Sequence, residues 1–160
     1  SHYIDRDARV KELAQRAVGD ETDNWKKAVR IERLVKNLMR NDNTAELVPA
    51  SRVARSLRGD CRHHALLTAS LCRAAGLPAR TAVGLLYVYR GGPRLGFHMW
   101  TEVYIDHQWI PLDATLGLGG IGADHLKLGQ TNLAGVDAFA SFLPVAQALG
   151  KLKISVVSAK

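Results

Sequence analysis

Apolar residues recur every three to four positions along the first half of the chain and at alternate positions along much of the second. The first period predicts amphipathic helices over residues 5–18 and 24–40, the latter with Asp23 as its N-cap. Pro49 can open a further short helix that ends near Leu57. This half of the chain is therefore expected to be helical.

The helix with the clearest boundaries follows Asp60, a residue type that caps helix N-termini. The segment HALLTASLCRAA continues it with strong helix formers. Gly76 then occupies the place of a left-handed C-terminal residue, and Pro78 stands two residues beyond it. We expect this helix to be central to the fold.

The next part of the chain shows the pattern of β-strands. It divides into a buried strand, a loop with glycine and proline, and two further strands: residues 79–89, 90–96, 97–105 and 108–113. A two-residue turn at Asp106-His107 joins the last two strands as a hairpin. Hairpin-connected strands after a run of helices indicate an α+β fold with an antiparallel sheet.

Past Asp113 the sequence becomes rich in glycine, and no strand is predicted there. A helix is expected over residues 136–149, interrupted by Pro144, and residues 151–157 (KLKISVV) alternate as a half-buried strand does. The length of 160 residues favours one domain over the whole chain. Its parts are N-terminal helices, a core with the chemical motifs, and a final loop, helix and strand: residues 1–45, 46–116 and 117–160.

The formal net charge of +7 changes this picture only slightly. Arg52, Arg55 and Arg58 recur at helical spacing, but no nucleic-acid-binding motif accompanies them. We interpret the stripe as a solvated helix face and expect no nucleic-acid partner. The longest apolar run, residues 82–89, is too short to span a bilayer, so no membrane partner is expected in this segment. No signal-peptide pattern is present and the chain begins at Ser1, so we expect a soluble piece of a longer chain without its targeting region.

The stretch GDCRHH places Cys61 directly after the predicted N-cap, at the first position of the central helix. Unpaired backbone N–H groups and the helix dipole stabilise a thiolate there. Cys72 lies eleven residues further along the same helix, roughly 16 Å away, beyond disulfide reach. Cys61 is therefore a candidate nucleophile, whereas Cys72 fits a structural role.

A thiolate nucleophile needs a proton carrier, and the proton carrier needs a further group that orients it. Strand alternation places His98 and Trp100 on one face, together with Glu102 and Tyr104. With the two-residue turn, Trp100 lies opposite Asp113, which brings Asp113 diagonal to His98 on the same face. This register permits a Cys-His-Asp arrangement, and a shift of one residue would remove it.

The segments GDCRHHALLTASLCRAAGLPAR and FHMWTEVYIDHQWIPLDAT, with their spacing, resemble the transglutaminase-like branch of the papain-like cysteine enzymes, of the bacterial cysteine protease type. The resemblance covers about residues 50–116. It implies Cys61 as nucleophile, His98 as general acid/base and Asp113 as the residue that orients His98. It also implies that the central helix packs on an antiparallel sheet.

Other kinds of site are less well supported. Cys61, His63, His64, His98 and Asp113 could ligate a metal, but adjacent histidines on a helix point about 100° apart, so no metal is expected. GLGGIG matches a dinucleotide fingerprint without the helix and acid that should follow, so no cofactor is expected. No carboxylate cluster suggests calcium activation.

The predicted function is therefore hydrolysis of an amide in a peptide or protein, through an acyl-enzyme on Cys61. Trp100 could shape the substrate cleft, or could equally serve hairpin packing. Transfer of the acyl group to an amine, and a non-catalytic binding module, remain as alternatives.

Overall fold

The computed structural model describes residues 3–89, 92–134, 140, 142–148 and 151. The helices α1 to α5 span Ala8–Val18, Asn24–Leu38, Ala50–Ser56, Cys61–Ala74 and Leu143–Ala148. The strands β1 to β6 span Arg40–Asn41, Arg58–Gly59, Ala79–Tyr89, Pro93–Ile105, Gln108–Leu112 and His125–Thr131. None of the helices within the described residues is long and apolar enough to cross a membrane.

The helix predicted over residues 5–18 begins only at Ala8, after Asp7 as its N-cap. The helix predicted over residues 24–40 ends at Leu38, whereas α2 and α3 begin where the residues before them predict. Asp23 accepts a hydrogen bond from the backbone N–H of Lys26 at 2.8 Å and so caps α2, and Pro49 directly precedes α3. At the end of α4, Gly76 takes the predicted left-handed conformation with φ +84°.

A four-stranded antiparallel sheet in the order β5-β4-β3-β6 forms the second layer. The hairpin register is confirmed as far as β5 extends, from Ile105 opposite Gln108 to Thr101 opposite Leu112. The α+β class with an antiparallel sheet is thus confirmed. A separate parallel pair of two-residue strands, β1 and β2, was not predicted.

Three sequence-based boundaries need correction or lie outside the described residues. β4 begins at Pro93, so the predicted loop over residues 90–96 is shorter than expected. β6 lies in the region for which no strand was predicted. Of the helix predicted over residues 136–149, α5 covers Leu143–Ala148, and almost all of the predicted strand at residues 151–157 lies outside the described residues.

Helix α4 occupies the centre of the core between the other helices and the sheet. Leu66, Leu67 and Leu71 are fully buried, and each such side chain contributes about 1.5–3 kcal/mol to the free energy of folding. The hydroxyl of Thr101 on β4 donates to the backbone carbonyl of Ala65 at 2.9 Å, which fixes α4 against the sheet. The N-terminus of α4 is held in place by this packing.

Candidate active site

The N-terminus of α4 is a closely fitted capping structure around Cys61. The carboxylate of Asp60 accepts from the backbone N–H of Arg62 at 2.9 Å, while Nδ1 of His63 accepts from the backbone N–H of Asp60 at 3.2 Å. Gly59 has φ +150°, and a Cβ there would lie 2.3 Å from Cγ of His63. The motif GDCRHH therefore builds the turn that presents Cys61 as the first residue of the helix.

His63 and His64 are both buried and hold this turn in place. Nε2 of His63 donates to the carbonyl of Glu46 at 2.8 Å, and Nδ1 of His64 donates to the carbonyl of Asp60 at 2.8 Å. Burial lowers the pKa of His64. Both residues are thus engaged in local structure beside Cys61.

His98 connects Cys61 with Asp113. Its Nε2 lies 2.7 Å from Oδ2 of Asp113, and its ring is also near enough to the side chain of Cys61 for the two to interact electrostatically. His98 is 5% exposed and Asp113 1%, whereas Cys61 is only partly buried. The structure therefore brings together the three residues that the sequence singled out, at the point where β5 ends beside β4.

The protonation of His98 follows from its two partners. Burial alone lowers the pKa of His98, but the hydrogen bond with Asp113 and the interaction with Cys61 outweigh it and raise this pKa to about 9. Burial likewise raises the pKa of Asp113, and the hydrogen bond from His98 outweighs it, so that pKa is lowered. The arrangement stabilises an imidazolium between two acidic partners.

A buried acid on α2, Glu32, fixes the backbone on which Asp113 stands. Its carboxylate accepts from the backbone N–H of Asp113 at 3.1 Å and from that of Gly119 at 2.7 Å. The backbone N–H of Thr115 in turn donates to Oδ1 of Asp113 at 2.8 Å. Sequence reasoning missed Glu32, although its position four residues after Ala28 places it on the apolar stripe of α2.

A second histidine reaches Asp113 from β6. Nε2 of His125 lies 3.2 Å from Oδ2 of Asp113, and Nδ1 lies 2.8 Å from Oδ1 of Asp124. The side chain of His125 is fully buried. His125 was missed because its strand was missed, and no local motif marks it.

Trp100 lies within the same cluster of rings. Its ring stacks on His98 with 6.3 Å between centroids and meets His125 edge-on at 5.2 Å. Trp100 is 1% exposed, so it packs against His98 within the core. The expectation that Trp100 shapes a substrate cleft stays a prediction, with any effect passing through His98.

A cavity of about 380 Å³ adjoins the N-terminus of α4. Its wall includes the two neighbours of Cys61 and three apolar side chains: Asp60, Arg62, Leu47, Phe97 and Phe142. The rings of Phe97 and Phe142 lie 5.9 Å apart. A larger cavity, about 500 Å³, lies beside Arg73 near the other end of α4, about 18 Å along the helix from Cys61, and is not part of this site.

Comparisons with solved structures find the same fold in other proteins. A "Putative Cysteine Protease" from Cytophaga hutchinsonii matches with a TM-score of 0.73 and 25% identity, over 88% of this chain and 47% of that one. The periplasmic domain of TgpA from Pseudomonas aeruginosa, bound to ethylmercury, matches with a TM-score of 0.56 and 19% identity, over 72% of this chain and 48% of that one. The chain thus spans about half the length of these two structures.

A search of curated protein sequences finds no match. A comparison with protein families does find one: residues 11–114 match the Transglutaminase-like superfamily. This match covers more than half of the chain and contains the capping turn of α4, the hairpin and Asp113. The chain therefore belongs to the transglutaminase-like superfamily.

Proposed function

We propose that this chain is a cysteine hydrolase that cleaves an amide in a peptide or protein. The observation that carries the proposal is the continuous set of contacts from Cys61 at a helix N-terminus, through His98, to Asp113 at 2.7 Å. A nucleophile, a base within hydrogen-bond reach and a group that orients the base are the parts that covalent catalysis needs.

In the proposed reaction, the sulfur of Cys61 attacks the carbonyl carbon of the amide. The His98 imidazolium then gives its proton to the leaving nitrogen, the C–N bond breaks, and a thioester remains on Cys61. Water next attacks the thioester while His98 takes one of its protons, which releases the acid and restores the thiolate–imidazolium pair. Asp113 holds His98 in one orientation through both steps and stabilises its charged form.

The N-terminus of α4 also offers a donor for the negative charge that develops on the carbonyl oxygen. The backbone N–H of Cys61 is one of the first-turn donors that have no intrahelical acceptor, and within the described residues it makes no other hydrogen bond. Such a donor, fixed in advance, stabilises an oxyanion.

The cavity beside Cys61 supports a preference for the acyl part of the substrate. Leu47, Phe97 and Phe142 give it an apolar wall, while Arg62 is already paired with Asp60 at 2.7 Å. We therefore propose an apolar side chain next to the scissile carbonyl. Asp60 is the one acid among the described residues that line this cavity, and Arg62 already pairs with it, so the cavity offers no free carboxylate for a cationic amine acceptor, which makes hydrolysis our choice over acyl transfer.

The test uses an activated acyl ester and then peptide amides with an apolar acyl residue. We expect the wild-type protein to gain the mass of the acyl group on Cys61 and to release free acid. The variant Cys61→Ala should lose both, and the matched variant Cys72→Ala should keep both. A fluorescent primary amine present at low millimolar concentration should be incorporated only weakly.

Activity that survives in Cys61→Ala would contradict the proposed nucleophile. Dominant incorporation of the amine would instead replace hydrolysis by acyl transfer and would leave the role of Cys61 intact.

A further inference from the structure

Three buried side chains at the site converge on one point. Oδ2 of Asp113 lies 2.7 Å from Nε2 of His98 and 3.2 Å from Nε2 of His125, and one ligand atom of each residue lies within 4.8 Å of the others. The proposed reaction uses His98 and Asp113 but gives no role to His125. Two imidazoles and one carboxylate form a common ligand set for Zn²⁺.

The hydrogen-bond pattern of His125 points to a cation at this place. Its two ring nitrogens face two different carboxylates, Asp113 at 3.2 Å and Asp124 at 2.8 Å. One ring N–H can donate to only one of these carboxylates, so the other nitrogen needs a positive partner between itself and the second carboxylate, either a proton or a metal ion. If Nδ1–H donates to Asp124, the lone pair of Nε2 is left pointing towards Asp113 and His98, where a metal ion would accept it.

Asp124 also matches the surroundings of a zinc-bound histidine. Histidines that ligate a metal almost always donate their other ring N–H to a carboxylate or carbonyl, which orients the ring. Asp124 occupies that place for His125. Ligand atoms of a tetrahedral zinc site lie about 3.3 Å from each other, given Zn–N and Zn–O distances near 2.0–2.1 Å. The separations of 2.7 Å and 3.2 Å therefore need shifts of less than about 1 Å.

We propose that His98, Asp113 and His125 form a binding site for Zn²⁺ and that the bound ion reversibly inhibits the enzyme. The binding site stands on the geometry alone, whereas the inhibition rests on the function proposed above. When Zn²⁺ binds, Nε2 of His98 releases its proton to solvent and its lone pair ligates the ion. His98 then keeps a proton only on Nδ1, and to give that proton to the leaving nitrogen would leave an imidazolate, so His98 becomes a much weaker proton donor than the imidazolium and Asp113 no longer accepts from it.

The binding test uses the Cys61→Ala protein, so that the thiolate cannot contribute. Zn²⁺ is titrated in competition with a chromophoric chelator, and we expect one ion per chain. His125→Asn removes a ligand, and Asp124→Asn removes the carboxylate behind it; each should weaken binding by about 10-fold or more. His107→Asn is the matched control, because His107 is exposed in the hairpin turn with φ +65°, a conformation that Asn tolerates.

Asp124→Asn keeps the test decisive if the buried His125 variant fails to fold, because the Asp124 side chain is 42% exposed. Absence of stoichiometric binding, or equal affinity in the Asp124→Asn and His107→Asn proteins, would overturn the site. In the Cys61-containing enzyme, inhibition by Zn²⁺ should be reversed by a chelator and should weaken in Asp124→Asn. An inactive protein that still binds Zn²⁺ in this pattern would count against the proposed function and not against the site.

Discussion

Asp113 is the residue at which the separate parts of the site meet. Its backbone N–H donates to Glu32, one carboxylate oxygen accepts from the backbone N–H of Thr115, and the other faces His98 and His125. Its position is therefore fixed by contacts from helix α2, from strands β4 and β6 and from its own turn. A change in the charge or position of the Asp113 carboxylate should therefore alter the protonation of His98.

Replacement of Asp113 by Asn should shift the pH dependence as well as the rate. In the wild-type protein the pKa of His98 is about 9, so with the proposed function kcat/KM should fall as pH rises through that value and the imidazolium loses its proton. Asn is uncharged, and burial continues to lower the pKa of His98, so the alkaline limb should move to lower pH by about one unit or more. We expect kcat/KM to fall by about 10²-fold or more.

The matched control for this change is Asp106→Asn. Asp106 is exposed in the hairpin turn with φ +48°, so the same acid-to-amide change should leave the pH profile unaltered. An alkaline limb that stays near pH 9 in Asp113→Asn would show that Asp113 does not set the charge of His98.

Cys61, His98 and Asp113, which the structure brings together, could be singled out as candidates from sequence because each belongs to a local pattern. An N-cap marks the start of α4, and strand alternation with a two-residue turn fixes the hairpin register. Glu32 and His125 reach Asp113 only through contacts of 81 and 12 residues in sequence separation. Local periodicity places Glu32 on a buried helix face but carries no information about such contacts, so the sequence could not show that Glu32 and His125 meet Asp113.

At the level of elements, β6 was missed for a related reason. It is an edge strand, its residues are mostly exposed or half-buried, and glycine-rich sequence precedes it. Apolar and polar residues alternate strongly where one face of a strand is buried and the other is exposed. An edge strand of this kind has no such continuous buried face. β6 pairs with β3, and this pairing is irregular between Val83 and Gly84.

Gly84 makes the close approach of β6 possible and offers a test of it. A Cβ at Gly84 would lie 2.0 Å from the carbonyl oxygen of Leu126 and 3.0 Å from the ring of Trp100. Gly84→Ala should therefore lower the free energy of unfolding by about 1–3 kcal/mol. It should also reduce activity, because Trp100 and β6 support His98 and His125.

Gly96→Ala on β4 is the matched control, since nothing lies within 4 Å of a Cβ at that position. Chemical denaturation should show a clear loss of stability for the first variant only. Equal denaturation midpoints for the two variants would mean that β6 does not lie as close to β3 as the structure places it.

At the scale of the whole molecule, arginines of the predicted stripe contact acidic residues of other elements. Arg55 pairs with Asp7 before α1, and Arg58 lies 3.8 Å from Asp42. Two of the three arginines of the predicted stripe thus face acids. This is consistent with a solvated structural face, and the absence of a nucleic-acid partner stays a prediction.

The same packing separates the two cysteines of the chain. Cys72 is fully buried, and burial raises its pKa to about 12. Cys61 lies at the N-terminal end of α4, where it is partly exposed and in contact with His98. One helix therefore carries one thiol that reagents can reach and one that they cannot.

The proposal that Cys61 is the nucleophile and depends on His98 for its reactivity is tested most directly by alkylation of the native protein with iodoacetamide at pH 6. Mass spectrometry of peptides gives the rate at each cysteine. We predict that Cys61 is alkylated about 10²-fold faster than Cys72, and that His98→Asn slows the reaction of Cys61 by about 10-fold or more. Equal rates at the two cysteines, or a rate at Cys61 that does not change in His98→Asn, would contradict it.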